Sequence, residues 1–82
     1  MLNYPDREKR VRAVADLGAT IRAARKRAGL EQKDAAGLAG VGLRFLSDLE
    51  RGKPTVRMDK VLQVLDVLGL ELTVQPRRAR YG

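Results

Sequence analysis

The sequence predicts an all-α domain that closes with one short β-strand. Between residues 16 and 68, apolar side chains recur three or four positions apart, which is the spacing of one helix face. Glycines interrupt this pattern at residues 29, 40, 52 and 69, and glycine readily adopts the left-handed backbone that ends a helix. After the last of them, apolar and polar residues alternate as in a half-buried strand. A chain of 82 residues forms one domain.

The amino-acid composition favours some classes of function and excludes others. The formal net charge is +7; residues 1–30 hold eight Lys or Arg against three acids, whereas residues 31–60 hold six against five. We expect a chain with this positive charge to bind a polyanion. Nucleic acid is the first candidate, and an anionic membrane surface is a remote second. Cysteine and histidine are absent, which excludes disulfides, thiolate metal sites and the commonest general base. Because the carboxylates are scattered and no glycine-rich phosphate loop is present, we expect no enzyme, metal or cofactor.

The sequence also predicts where the protein is found. Its start lacks the apolar core of a signal peptide, and no apolar run approaches the ~20 residues of a membrane span. We expect a cytoplasmic protein that associates with the nucleoid when it is bound to DNA.

The first third predicts a basic helix behind a charged extension. Residues 1–15 form the extension, in which residues 6–15 indicate a helical lead-in, with a solvated segment as the alternative. The next helix, residues 16–28, is predicted by an apolar stripe. That stripe consists of Leu17, Ile21, Ala24 and Ala28. The same helix carries four cations, which are Arg22, Arg25, Lys26 and Arg27. They predict a solvated face, or a face that binds a protein partner.

Two short helices follow, over residues 31–39 and 42–51. Gly40 provides the turn between them, and the small side chain of Ala36 permits the close approach of the second helix. Two short helices with this spacing form a helix-turn-helix, in which one crosses the phosphate backbone and the other enters the major groove. Gly52 and Pro54 end the second helix.

The chain ends with a helix, a strand and a tail. Thr55 is the expected N-cap of a helix that continues to residue 68. Residues 70–75 form the predicted strand, whose inward face carries Leu70, Leu72 and Val74. Because one short strand cannot satisfy its own ladder, we expect it to pair with its copy in a homodimer. Residues 76–82 form a basic flexible tail.

Residues 17–74 resemble the lambda-repressor/Cro-type (XRE) helix-turn-helix family, and within it the HipB-like antitoxins. The resemblance rests on Gln32, Ala36, Gly40-Val41, the segment FLSDLERGKPTVRMDKVLQVLDVLG and the closing LELTV. It implies a lambda-repressor-like bundle of about five helices, with the helix-turn-helix domain in residues 16–69. It also implies a homodimer, palindromic operator DNA and a HipA-like kinase toxin as partner.

The sequence departs from this family at four positions of the helix-turn-helix. Glu31 stands where Thr or Ser is frequent, and Ala35 stands where Leu is usual. Gly42 stands in place of Ser or Lys, and Leu43 in place of a polar residue such as Gln or Arg. The second motif helix therefore offers few base-reading side chains, and DNA shape is expected to share in specificity.

Predicted base contacts come from Leu43, Arg44 and Ser47. Arg44 can donate two hydrogen bonds to a guanine, and Leu43 can touch a thymine methyl group. The alternatives are a solvated surface for Arg44 and Ser47 and core packing for Leu43. Asp48 is expected to pair with Arg44 one turn away, with a hydrogen bond from a cytosine amino group as the alternative. Phe45 is expected to pack against a neighbouring helix or Leu49.

Predicted phosphate contacts come from Gln32, Lys33, Gly42 and Lys53. Gln32 resembles the family glutamine that contacts phosphate and braces the recognition helix. Lys33 lies beside it at the positive end of the same helix. Such contacts set register and affinity without reading the sequence of the DNA.

The leading hypothesis is a dimeric repressor of its own operon that also acts as a HipB-like antitoxin. One alternative is a protein-binding module with incidental DNA affinity, which the nearly neutral recognition helix favours slightly. Another is a stand-alone regulator of the same family with no toxin.

Overall fold

The computed structural model describes residues 9–77, which contain four α-helices. Helix α1 spans Val14–Arg27, α2 spans Gln32–Ala39, α3 spans Leu43–Glu50 and α4 spans Met58–Val67. Within the described part of the chain there is neither a fifth helix nor a strand. Residues 70–77 follow α4 without regular secondary structure, so the predicted strand forms no ladder with any other residue in the range 9–77. The tail beyond residue 77 lies outside the described residues.

The helical lead-in predicted over residues 6–15 is wrong for residues 9–13, which are not helical, whereas residues 14 and 15 belong to α1. The carboxylate of Asp16 accepts hydrogen bonds from the backbone N–H groups of Arg12 (2.9 Å) and Ala13 (3.2 Å). A carboxylate at this position satisfies N–H groups at a helix start, so α1 begins at Val14. Residues 6–8 of the predicted lead-in lie outside the described range.

All four helices end at the predicted glycines. Gly29, Gly40, Gly52 and Gly69 have φ values of +74°, +73°, +84° and +69°. Beyond each glycine, the next N–H group bonds back five residues, as from Leu30 to the Arg25 carbonyl (3.1 Å) and from Leu70 to that of Leu65 (2.8 Å). This pair of features is the Schellman motif, which satisfies the last carbonyls of a helix.

The predicted start of the last helix at Thr55 is wrong. Helix α4 begins at Met58, and its N-cap is Arg57 in an extended conformation. Residues 55–57 are not helical, and Val56 packs against the core on the way from α3 to α4. The need to bury Val56 therefore outweighs the capping preference of threonine.

The core lies among the four helices, with α3 packed on α1 and on α2, and α2 packed on α4. Its fully buried large side chains are Ile21, Leu46, Leu49, Val61 and Val64. Helix α1 approaches α3 closely at Gly18, where an added Cβ would overlap the carbonyl oxygen of Leu49. Among the described residues, no helix is long and apolar enough to cross a membrane.

Candidate nucleic-acid interface

Helices α2 and α3 form the predicted helix-turn-helix. Gly40 turns the chain after α2, and the N–H of Val41 donates to the carbonyl of Ala36 (3.0 Å). The side-chain amide of Gln63 in α4 donates to the carbonyl of Ala39 (2.9 Å) and so fixes the turn to the rest of the domain. Ala36 is 3% exposed, which agrees with the small residue that close helix packing requires.

The outer side of this motif carries a shallow groove, which we call the α3 groove. Its lining residues are Gln32, Leu43, Arg44, Ser47, Asp48 and Arg51. All three predicted base-contact residues therefore lie together, with Gln32 at the edge that α2 provides. The alternative of core packing for Leu43 is wrong, because this side chain is 51% exposed.

The other predicted phosphate contacts lie around the groove rather than in its lining. Gly42 is exposed as the N-cap of α3. Lys33 is exposed in the first turn of α2, and Lys53 is exposed just after α3. No DNA contact of these residues is tested by the structure, so their roles stay predictions.

The charges in the α3 groove are paired differently from expectation. Asp48 does not pair with Arg44; its carboxylate accepts a hydrogen bond from Arg51 Nη2 (2.7 Å) and lies 3.7 Å from Lys53 Nζ. Arg51 Nη1 also donates to Ser47 Oγ (3.0 Å). Two cations from the end of α3 thus compete successfully for Asp48, and Arg44 has no ion pair within residues 9–77.

A buried ion pair is connected to the groove through Gln32. Arg25 Nε and Nη2 donate to the two carboxylate oxygens of Glu50 (2.6 and 2.9 Å), and Arg25 Nη1 donates to the carbonyl of Leu30 (2.7 Å). Gln32 Nε2 donates to the same carboxylate (3.0 Å). The side chains of Arg25 and Glu50 are only 9% and 2% exposed. The network joins α1, α2 and α3 and fixes the orientation of Gln32 at the groove edge.

Arg25 and Glu50 shift each other's pKa values. Burial acts to raise the pKa of Glu50, but hydrogen bonds from Arg25 and Gln32 and the charges of Arg25 and Arg22 outweigh it, so the pKa lies below the ordinary glutamate value. The hydrogen bond to Glu50 raises the pKa of Arg25 above the ordinary arginine value, against the effect of burial. Both groups are therefore ionised at neutral pH.

This pair shows that the prediction for Arg25, a solvated face or a face for a protein partner, is wrong, because its side chain is buried. A signal was present: Arg25 follows the buried Ile21 by four residues, and Glu50 follows the buried Leu46 by four. Both charges thus lie on the buried stripes of their helices. Phe45, by contrast, packs as expected; it is half-buried against the core, with Lys60 Nζ 5.9 Å from its ring centroid.

A second surface, which we call the C-terminal apolar face, lies on the outer side of α4. A shallow groove there is lined by Leu62, Gln63, Leu65, Asp66, Leu70 and Leu72. Leu72 is 40% and Val74 90% exposed, while Leu70 packs partly against the core. The residues of the predicted strand therefore border an apolar surface that no other part of residues 9–77 covers.

Comparison with known proteins defines the class of this chain. The family described as "Helix-turn-helix domain" matches residues 16–79, so the chain belongs to that family. A relative in Sinorhizobium fredii (strain NBRC 101917 / NGR234), "Uncharacterized HTH-type transcriptional regulator y4mF", is 53% identical over 66 residues, which are 80% of this chain and 87% of the relative. The chain is accordingly a DNA-binding transcriptional regulator of the helix-turn-helix class.

Solved structures of HipB share its fold. The "HipB-O4 20mer complex" matches with a TM-score of 0.77 and 17% identity, over 87% of this chain and 100% of that one. The "Structure of HipA-HipB-O2-O3 complex" matches with a TM-score of 0.78 at the same identity and coverage. The resemblance to the XRE-type family and to HipB is thus confirmed, and at this identity the structural likeness extends to the fold alone.

Proposed function

We propose that the protein is a dimeric, sequence-specific repressor that binds a palindromic operator upstream of its own gene. One observation carries the proposal: the predicted base-contact residues are gathered in the exposed α3 groove. In a helix-turn-helix, this side of the second helix is the one that enters the major groove. Two bound copies would occlude the promoter.

The groove has suitable chemistry for reading DNA. Arg44 is exposed and has no ion pair among the described residues, so its guanidinium is available for the paired acceptors of a guanine. The exposed Leu43 offers an apolar contact for a thymine methyl group. Gln32, Lys33, Gly42 and Lys53 surround these two side chains and are the proposed phosphate contacts.

A homodimer would complete the site. The C-terminal apolar face provides a surface for a second copy, and Leu70, Leu72 and Val74 would lie in the paired strands. A two-fold dimer places its recognition helices about one DNA turn (~34 Å) apart, which matches a palindrome with two half-sites.

The linked antitoxin role rests on the likeness in fold. One of the similar solved structures is named a complex of HipA with HipB, O2 and O3. By analogy, we propose that this dimer binds a HipA-like kinase and neutralises it. An adjacent kinase-like reading frame in the genome would support this role, whereas its absence would favour the stand-alone regulator.

Titration of the purified protein against the DNA upstream of its own gene tests the repressor proposal. A scrambled duplex measures nonspecific binding, and the salt concentration is raised to about 0.15 M, where nonspecific binding is weak. Wild type should bind the upstream duplex more tightly than the scrambled one. Arg44→Ala should weaken binding to the upstream duplex by about 1–3 kcal/mol.

Lys26→Ala is the matched control, because it removes one exposed cation of α1 outside the α3 groove. It should weaken both duplexes about equally. Equal and strongly salt-sensitive binding of wild type to both duplexes would contradict the proposal and favour the protein-binding module. That alternative is supported by the ion pairs of Asp48, which leave the α3 groove with little net charge.

A further inference from the structure

The α3 groove holds one carboxylate among its cations, that of Asp48. Two cations cover it: Arg51 at 2.7 Å and Lys53 at 3.7 Å. The Asp48 side chain is 17% exposed, whereas those of Arg51 and Lys53 are 71% and 53% exposed. The carboxylate thus lies at the bottom of the groove, with its partners toward solvent.

These pairs can open or be shared at little cost. The cationic ends of both pairs are exposed, and water and salt weaken an ion pair whose partner is in contact with solvent. An arginine has five N–H donors, and in the free protein Arg51 uses one toward Asp48 and one toward Ser47. Arg51 can therefore bind a phosphate in two ways. It can keep its hydrogen bond to Asp48 while its other N–H groups contact the phosphate, or it can leave Asp48, whose carboxylate then faces the DNA.

A carboxylate that faces DNA can discriminate between base sequences, because it repels hydrogen-bond acceptors and phosphates. It accepts hydrogen bonds from the amino groups of cytosine and adenine, but the N7 and O6 atoms of guanine and the O4 atom of thymine offer acceptors only. It also repels any phosphate that approaches out of register. A duplex that does not present a donor near Asp48 therefore buries a carboxylate that receives no hydrogen bond from the DNA, which costs binding free energy.

We propose that Asp48 is a specificity-determining residue that acts by exclusion, lowering the affinity for DNA of the wrong sequence more than the affinity for the operator. The pairing with Arg51 and Lys53 makes this possible, since each of these cations attracts a phosphate less strongly while it also neutralises Asp48. The inference rests on the proposed function, because it requires that the α3 groove faces the DNA.

The test is a titration of Asp48→Asn, which keeps the size of the side chain and removes its charge, against the upstream and scrambled duplexes over a series of salt concentrations. Affinity for the scrambled duplex should rise more than that for the upstream duplex. The ratio of the two affinities should fall by about five- to tenfold, equivalent to lost discrimination at roughly one base pair. The salt dependence on the scrambled duplex should steepen by about 0.9–1.8 in slope, as one or two freed cations reach phosphates.

Two further variants test whether the lost charge of Asp48 and the freed Arg51 cause the change in the affinity ratio. Asp59→Asn removes the same charge from an exposed Asp–Arg pair at the start of α4, outside the lining of the α3 groove, and should leave the affinity ratio unchanged. Arg51→Gln combined with Asp48→Asn should remove most of the gain on the scrambled duplex. Thermal unfolding by circular dichroism verifies that each variant folds, and Asp48→Ala serves if the asparagine variant does not.

The outcomes separate this inference from the proposed function. If wild type prefers the upstream duplex but Asp48→Asn shifts both duplexes by the same factor, the exclusion role is wrong and the repressor proposal stands. A loss of affinity for the upstream duplex alone would also overturn exclusion, since Asp48 would then attract the operator. If wild type shows no preference, the proposed function itself fails.

Discussion

Glu50 is the residue at which three helices of this small domain meet. Its carboxylate receives hydrogen bonds from Arg25 of α1 and Gln32 of α2, and its own side chain is 2% exposed. Buried ion pairs contribute little net stability, but removal of one partner leaves the other charge buried and uncompensated. The pair thus fixes the relative placement of the helices, and with it the position of Gln32 at the edge of the α3 groove.

Glu50→Ala should lower the free energy of unfolding by about 3–5 kcal/mol, because Arg25 is left as an unpaired buried charge. Urea unfolding followed by circular dichroism measures the change. Asp34→Ala is the control: this exposed acid lies in the first turn of α2, outside the lining of both surfaces, so its removal should lower stability by no more than about 1 kcal/mol. Equal midpoints for the two variants would show that the network is dispensable.

The same residue predicts how stability depends on pH. The pKa of Glu50 is lower in the folded protein than its ordinary value, so the unfolded state binds the proton more readily. The stability that Glu50 contributes is therefore complete above the ordinary glutamate range (about 4.3) and is lost as the pH falls through the lower, folded pKa. Between neutral pH and acid, wild type should lose more stability than Glu50→Ala. Parallel loss in both proteins would assign acid sensitivity to other carboxylates.

At the scale of elements, the contact between α1 and α3 depends on the missing side chain of Gly18. A Cβ at this position would overlap the Leu49 carbonyl oxygen and lie 3.0 Å from that of Glu50. Gly18→Ala should therefore push the two helices apart and destabilise the domain by about 1–3 kcal/mol, as overpacking does elsewhere.

Gly37→Ala in α2 is the matched control for Gly18→Ala, since a Cβ there meets no atom within 4 Å. It should stabilise the domain by about 0.5–1 kcal/mol, because alanine is the better helix former. Thermal or urea unfolding of both variants measures the contrast. If Gly18→Ala also stabilised the domain, the close approach of α1 and α3 would not constrain this position.

The helices were predictable because the spacing of their apolar residues and the positions of the glycines that end them indicate the same ranges. The starts were less predictable: α4 begins three residues after Thr55, since tertiary packing of Val56 overrides the local capping preference. In the site, spacing on α3 correctly placed Leu43, Arg44 and Ser47 on one exposed side. The partners of Asp48 and the burial of Arg25 were not predictable from residue type, because both depend on which long side chains reach across from neighbouring turns or helices.

At the scale of the whole molecule, the two exposed surfaces differ in character. The α3 groove is polar and carries paired charges, whereas the C-terminal apolar face exposes Leu62, Leu72 and Val74 by 47%, 40% and 90%. A domain of this size buries only about 60% of the surface of its unfolded chain, so its own stability is modest. Covering the apolar face with a second copy would add stability and would supply a partner for the unpaired segment after α4.

Leu72→Lys should convert the proposed dimer to a monomer, because it places a charge on the face that the paired strands would bury. Thr73→Lys is the matched control: successive side chains of a strand point to opposite faces, so its charge would stay in solvent and the dimer should persist. Sedimentation equilibrium at micromolar concentrations measures both states. The monomeric variant should also lose affinity for a palindromic duplex far more than for a single half-site, since only a dimer spans two half-sites about 34 Å apart. If both variants behave like wild type in the centrifuge, residues 70–75 do not form the dimer interface, and the second half of the DNA site must be contacted by another arrangement of the two copies.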